Sequence, residues 1–238
     1  MKIIWTLINL TQLVVITLIT IISSVIGITL SLFYHKVLLW IGRYIWGPIL
    51  CNIVGAKIEV IGINNIKKFN SYIFTANHQS FLDIPILFST SRRNLYFVAK
   101  KELLNMPFIG QAIWVSKMIF IDRSNREKAM ASMKKAGELI LNGKNVITFP
   151  EGTRSIDGTV KIFKRGSFII AIESNIPIVP VAIKGVSQVW PGKSYKFRPG
   201  KVKIIYGEPI YPSDSTCNTA EELAEYVRQK VIEMLKKN

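Results

Sequence analysis

The 238-residue sequence predicts an α/β fold, a mixed sheet flanked by helices, with a hydrophobic helical membrane anchor at its N-terminus. Three observations carry that prediction. Residues 3–34 contain no Asp, Glu, Lys or Arg; from residue 58 onward short apolar runs are separated by turn residues; and amphipathic helical stretches lie between those runs. The length suits one compact domain with a modest appendage, so the chain divides into an anchor, residues 1–57, and a domain, residues 58–238.

The charge-free run comes first. Its 32 residues, at about 1.5 Å each in a helix, exceed the roughly 30 Å of a bilayer's hydrocarbon core. A helix there must tilt, or break near Ser23-Ser24 and Gly27. The run is too long for a cleavable signal peptide, and no small-residue cleavage site precedes Lys36. Residues 37–56 form a second apolar stretch, interrupted by Arg43, Asn52 and Gly47-Pro48 and carrying Trp40, Tyr44 and Trp46. Aromatic rings and an arginine suit the headgroup boundary, so this stretch reads as interfacial. Lys36, Arg43 and Lys57 place the domain on the cytoplasmic side by the positive-inside rule.

In the domain, strands are expected at 58–61, 72–76, 95–99, 118–121, 145–149, 178–183 and 202–206, with an apolar helix over 81–88. Ser124 or Asn125 can cap a helix whose Met130, Met133, Ala136 and Ile140 share a face, and Gly143 ends it. The methionines there read as core. A last helix starts from a Thr219–Glu222 capping box and buries Leu223, Val227, Val231 and Met234.

The formal charge is +16. Residues 1–60 hold four basic and one acidic side chain, which leaves 27 basic against 14 acidic, or +13, on the rest. Such a domain suits an anionic membrane or a phosphorylated substrate; no recognition motif supports nucleic acid as a partner. Cys51 and Cys217, and His35 and His78, lack metal-ligand spacing, so neither a metal nor a bound cofactor is expected.

Two segments can carry chemistry. The run Asn77-His78-Gln79-Ser80-Phe81-Leu82-Asp83 opens where an expected strand ends. A spacing of five lets Asp83 reach back to one imidazole nitrogen of His78, leaving the other to accept a proton. The same residues would equally satisfy a strand end and cap a turn. Ser80 as a nucleophile lacks the Gly-x-Ser-x-Gly elbow, which no serine here possesses. The second segment is Phe149-Pro150-Glu151-Gly152-Thr153-Arg154-Ser155, again directly after a strand. Gly152 permits a tight turn, Thr153 offers a hydroxyl and Arg154 a planar fork suited to phosphate, while a Glu151–Arg154 salt bridge is the alternative.

These blocks, with Lys101-Glu102-Leu103, Pro107, Gly110, Ile121-Asp122-Arg123 and Ile176-Pro177-Ile178-Val179-Pro180-Val181, stand in the order and spacing of the glycerolipid acyltransferase family. The resemblance covers roughly residues 58–210 and is greatest to bacterial 1-acylglycerol-3-phosphate (lysophosphatidic acid) acyltransferases. It implies His78 as general base, Asp83 as its orienting partner, and Arg123, Glu151 and Arg154 at a glycerol-phosphate site, with Lys101, Gly152 and Thr153 as further substrate-binding candidates. It implies acyl-CoA or acyl-carrier protein as donor, lysophosphatidic acid as acceptor, and an N-terminal helix pair able to lie in one leaflet. An acyltransferase for another lysophospholipid and a non-catalytic basic membrane-binding protein are the rival readings. One departure stands out: Ser116-Lys117 occupies a place where the family commonly has glycine.

Overall fold

The structure, a computed structural model, describes residues 2–67, 71–122, 125–155, 157–192 and 194–237. Its strands are β1 (Ala56–Ile61), β2 (Ile73–Ala76), β3 (Leu95–Lys100), β4 (Ile119–Ile121), β5 (Asn145–Thr148), β6 (Ile178–Lys184) and β7 (Gly200–Tyr206). They form one sheet in the order β1-β7-β6-β2-β5-β3-β4. The block from β6 to β4 is parallel, while β7 runs antiparallel to β6 and pairs in parallel with β1, so the sheet is mixed as expected. Each strand expected from sequence is found, with ends shifted by one or two residues.

The central strands explain the layering. Every residue of β2 and β5, and all of β6 but its last, is buried, as in a sheet covered on both faces. The helices are α1 (Lys2–Ser31), α2 (Val37–Ile41), α3 (Gly47–Ile53), α4 (Asp83–Thr90), α5 (Ile109–Val115), α6 (Arg126–Leu141), α7 (Gly166–Glu173), α8 (Val186–Val189) and α9 (Ala220–Lys237). α4 packs with α3, and α5 with α1; α6 packs with α7, and α7 with α9. Right-handed crossovers put the first group on one face of the sheet and the second on the other.

Of the two ways to fit the long apolar run, a tilt or a break, α1 excludes the break, running unbroken through Ser23-Ser24 and Gly27 to Ser31. Gly27 serves packing instead: a Cβ there would stand 2.3 Å from Leu38 Cδ2, so the missing side chain lets the two anchor helices approach. Three polar residues of α1 bond to the rest of the protein. Asn9 Oδ1 accepts from the Phe197 amide at 2.8 Å, Gln12 Nε2 donates to the Ile53 carbonyl at 2.7 Å, and Thr20 Oγ1 accepts from Trp46 Nε1 at 3.0 Å. The outer face exposes Ile4, Leu7, Val14, Leu18 and Val25, and α1 is long and apolar enough to cross a membrane. After α2 the chain makes a π turn, Gly42–Trp46, closed by the Gly47 amide on the Gly42 carbonyl. Pro48 causes it, having no N–H to give the Tyr44 carbonyl. Leu39, Leu50, Cys51 and Val54 from this second stretch are buried in the same core as β2 and α4.

Caps agree closely with the sequence. Asn125 Oδ1 accepts from the Lys128 amide at 3.0 Å, while Ser124, the other candidate cap, lies outside the described residues. Thr219 and Glu222 exchange amide bonds of 3.2 and 3.3 Å at the start of α9, a device worth about 1 kcal/mol per cap. The helix expected over 81–88 starts two residues later, at Asp83. Lys117, in the Ser116-Lys117 departure, has φ of 57°, the left-handed conformation that glycine takes without strain.

Candidate active site

Adjacent parallel strands β2 and β5 send their chains to opposite faces of the sheet, β2 into α4 and β5 toward α7. That divergence opens a crevice at their C-terminal ends, the habitual binding place of open α/β sheets. The two segments singled out in the sequence fill it, residues 77–83 after β2 and residues 149–155 after β5.

His78 Nδ1 stands 2.6 Å from Asp83 Oδ2. The same oxygen accepts the amides of Gln79 at 2.8 Å and Ser80 at 2.9 Å, so the wholly buried carboxylate is held by its own turn at the start of α4. The tautomer that donates from Nδ1 to Asp83 leaves Nε2 as the acceptor nitrogen. The His78 ring also stacks on Phe149, centroids 4.1 Å apart and planes 21° from parallel, with 19% of the side chain still exposed. A partly exposed, doubly fixed imidazole with a free acceptor nitrogen is suited to remove a proton from a bound hydroxyl.

Glu151 ties the two segments together. Its Oε1 accepts the His78 amide at 2.8 Å and its Oε2 accepts the Lys161 amide at 3.1 Å. Burial raises this carboxyl above the usual carboxylate range, while the two amide bonds pull it back. The Ser155 amide returns a bond to the His78 carbonyl at 2.8 Å, and Gln79 Nε2 donates to the Gly158 carbonyl at 3.1 Å. Both oxygens of Glu151 are thus engaged by main-chain amides, one of them that of His78, rather than standing free for the glycerol phosphate expected from the sequence. No Glu151–Arg154 salt bridge forms among the described residues.

Arg154 lies over Phe81, its Cζ 3.6 Å from the ring centroid. Its Nη1 is buried without a hydrogen-bond partner, as is Asp83 Oδ1. Burial lowers the Arg154 pKa and the charge of Asp83 opposes that shift. A guanidinium with an unused buried N–H beside a fixed imidazole is prepared for an anionic oxygen. Gly152 makes the turn that aims it, with φ of 75° and Lys164 Nζ 3.0 Å from where a Cβ would sit. Thr153 is exposed on the rim, its Oγ1 accepting from Lys161 Nζ at 3.3 Å. Lys101 comes directly after β3, which pairs with β5, and its ammonium lies 3.4 Å from Asp122. Arg123 lies outside the described residues.

The structure adds residues that the motifs alone left unassigned. Asn77 makes two bonds to Ile183, Nδ2 to its carbonyl at 3.0 Å and Oδ1 from its amide at 2.8 Å, extending the β2–β6 ladder by side chain. Ser80 Oγ donates to the Trp190 carbonyl at 2.6 Å and accepts the Leu82 amide, so this hydroxyl holds the turn. Phe149 and Phe81 supply the ring faces for His78 and Arg154. Polar and aromatic residues inside the motifs were the available signal for all four.

Comparison with known proteins matches a family model described as Acyltransferase to residues 57–184. A 1-acyl-sn-glycerol-3-phosphate acyltransferase of Chlamydomonas reinhardtii is 32% identical over 181 residues, 75% of this chain and 53% of its own. One from Saccharomyces cerevisiae is 34% identical over 200 residues, 83% and 66% respectively. This chain therefore spans between half and two thirds of the length of those curated relatives. The crystal structure of the 1-acyl-sn-glycerophosphate (LPA) acyltransferase PlsC from Thermotoga maritima matches with a TM-score of 0.84 at 30% identity, covering 99% of this chain and 96% of that one.

Proposed function

This chain belongs to the acyltransferase family, and from that premise we propose that it moves a fatty acyl chain from acyl-CoA or acyl-carrier protein to the sn-2 hydroxyl of 1-acylglycerol-3-phosphate, yielding phosphatidic acid for phospholipid synthesis. The observation that carries the reading is the His78–Asp83 pair, 2.6 Å apart in a crevice that also holds the unsatisfied Arg154 guanidinium. His78 Nε2 takes the hydroxyl proton as the oxygen attacks the thioester carbonyl carbon. The tetrahedral oxyanion collapses, the C–S bond breaks, and the leaving thiolate takes the proton back from the imidazolium. An acyl thioester is already activated, so alignment and proton transfer account for most of the acceleration required.

Arg154 binds the phosphate monoester by two parallel N–H bonds, with Arg123 and Lys101 contributing positive charge. Asp83 and Glu151 act through His78, while Gly152 and Thr153 shape the turn that presents Arg154. On this reading the apolar outer face of α1 seats the domain on the bilayer that holds the lysolipid, and the positive charges of Lys36, Arg43 and Lys57 support a cytoplasmic-facing domain, as on a bacterial inner membrane. Offering purified protein a panel of lysolipids with each donor, and identifying products by mass spectrometry, tests the proposal. It predicts phosphatidic acid as the main product. Preference for another lysolipid would reassign the acceptor, and no acyl product with any pair would leave only a membrane binder.

A further inference from the structure

At the opposite pole of the sheet, where β3 and β5 begin, lies a cavity of about 720 Å³. Lys36, Arg43, Arg92, Arg93 and Lys144 line it, and among the described residues no carboxylate does. The strands between this cavity and His78 are four to six residues long, so the two sites stand on the order of 15–20 Å apart. None of these cations takes part in the proposed transfer.

Gathering like charges around a partly enclosed space costs free energy in the absence of a counter-charge. Lys144 shows the cost: burial lowers its pKa, and Lys117 and Lys36 lower it further. It lies over the Tyr96 ring, 4.9 Å from the centroid, and Arg93 over that of Tyr72 at 5.6 Å. Arg92 holds φ of 53°, a conformation uncommon for a side-chain-bearing residue. Two of the five cations, Lys36 and Arg43, come from the anchor. Lys36 comes shortly after the exposed Leu32 and Phe33, and Arg43 stands between the exposed Trp40 and Tyr44. Apolar and aromatic residues of that kind settle at the headgroup level of a bilayer. The cavity therefore opens where lipid phosphates lie, with a volume in the range of small-ligand sites.

We propose that this cavity is a second anion site, distinct from the transfer site, which takes the phosphate-bearing headgroup of an anionic bilayer lipid. The proposal does not depend on the acyl-transfer reading. Full-length protein in neutral detergent, incubated separately with phosphatidylglycerol and phosphatidylcholine, is examined by native mass spectrometry. One phosphatidylglycerol should be retained in preference to phosphatidylcholine. The R92Q/K144Q double variant should lower that retention about tenfold or more, the worth of one charge-assisted hydrogen bond. K236Q/K237Q, at the end of α9, should leave it unchanged. Because the substitutions relieve repulsion, melting temperature should not fall; should the pair prove unstable, the single variants R92Q and K144Q carry the same test. Equal retention by wild type and R92Q/K144Q, or equal loss in K236Q/K237Q, overturns the proposal. So does a thermal shift with inorganic phosphate that R92Q/K144Q abolishes, if no lipid is retained, since the site would then serve a soluble anion.

Discussion

The imidazole of His78 lies flat on the ring of Phe149, with centroids 4.1 Å apart, while Asp83 holds the ring's Nδ1 edge. Stack and hydrogen bond together fix both the plane of the imidazole and its rotation within that plane. Phe149→Ala should therefore lower kcat by about tenfold with little change in KM, because misplacing a base costs transition-state alignment more than binding. Phe149→Leu, which keeps an apolar wall, should recover part of the loss. Steady-state kinetics on both variants checks this, and a loss confined to KM would assign Phe149 to substrate binding.

Asp83 is the acceptor for three donors at one oxygen, His78 Nδ1 and the amides of Gln79 and Ser80. Asparagine keeps the shape but weakens the acceptor and offers an N–H₂ that cannot serve it. Asp83→Asn should reduce turnover by roughly 10²–10⁴, the usual worth of an organised general base. Circular dichroism should show the fold retained. Near wild-type turnover would show that His78 needs no orienting carboxylate.

Arg154 has an unsatisfied buried Nη1 and a ring face beneath it. Lysine restores the charge but neither the planar fork nor the stack on Phe81. Arg154→Lys should lower kcat/KM on 1-acylglycerol-3-phosphate by about tenfold or more, and by less on a lysolipid without a phosphate monoester. Comparing both acceptors alongside a melting curve reads the result. Equal losses that track a lower melting temperature would give Arg154 a purely structural part.

Lys117 holds φ of 57°, in the left-handed region that glycine takes without strain. Replacing it by glycine removes the Cβ conflict at the cost of extra chain entropy in the unfolded state. Lys117→Gly should leave stability unchanged or raise it by up to about 1 kcal/mol. Urea denaturation measures the difference, and a clear loss would mean that the side chain makes a contact outweighing the strain.

The sequence carried the strands because runs such as Ile73–Ala76 and Ile178–Lys184 are apolar along most of their length, as doubly covered strands must be. It carried His78 with Asp83 because five residues bridge a single turn. Residues 78 and 151 are brought together by strand order, which no local pattern records, so the clamp of Glu151 on the His78 amide became visible only in the fold. Gly27 shows what a local pattern leaves open: in an over-long apolar helix it is compatible with a tilt or a break, and the fold shows an unbroken helix in which it admits Leu38 from the second helix. The basic cavity lay beyond sequence reasoning for a similar reason, since Lys36, Arg92 and Lys144 come from three separate segments.

The most direct measurement compares phosphatidic acid formation by wild-type protein and His78→Ala, given 1-acylglycerol-3-phosphate in vesicles with whichever thioester donor the wild type uses. The account predicts that His78→Ala remains folded and membrane-bound and forms product roughly 10²–10⁴-fold more slowly. Product formation by His78→Ala at the wild-type rate would contradict it.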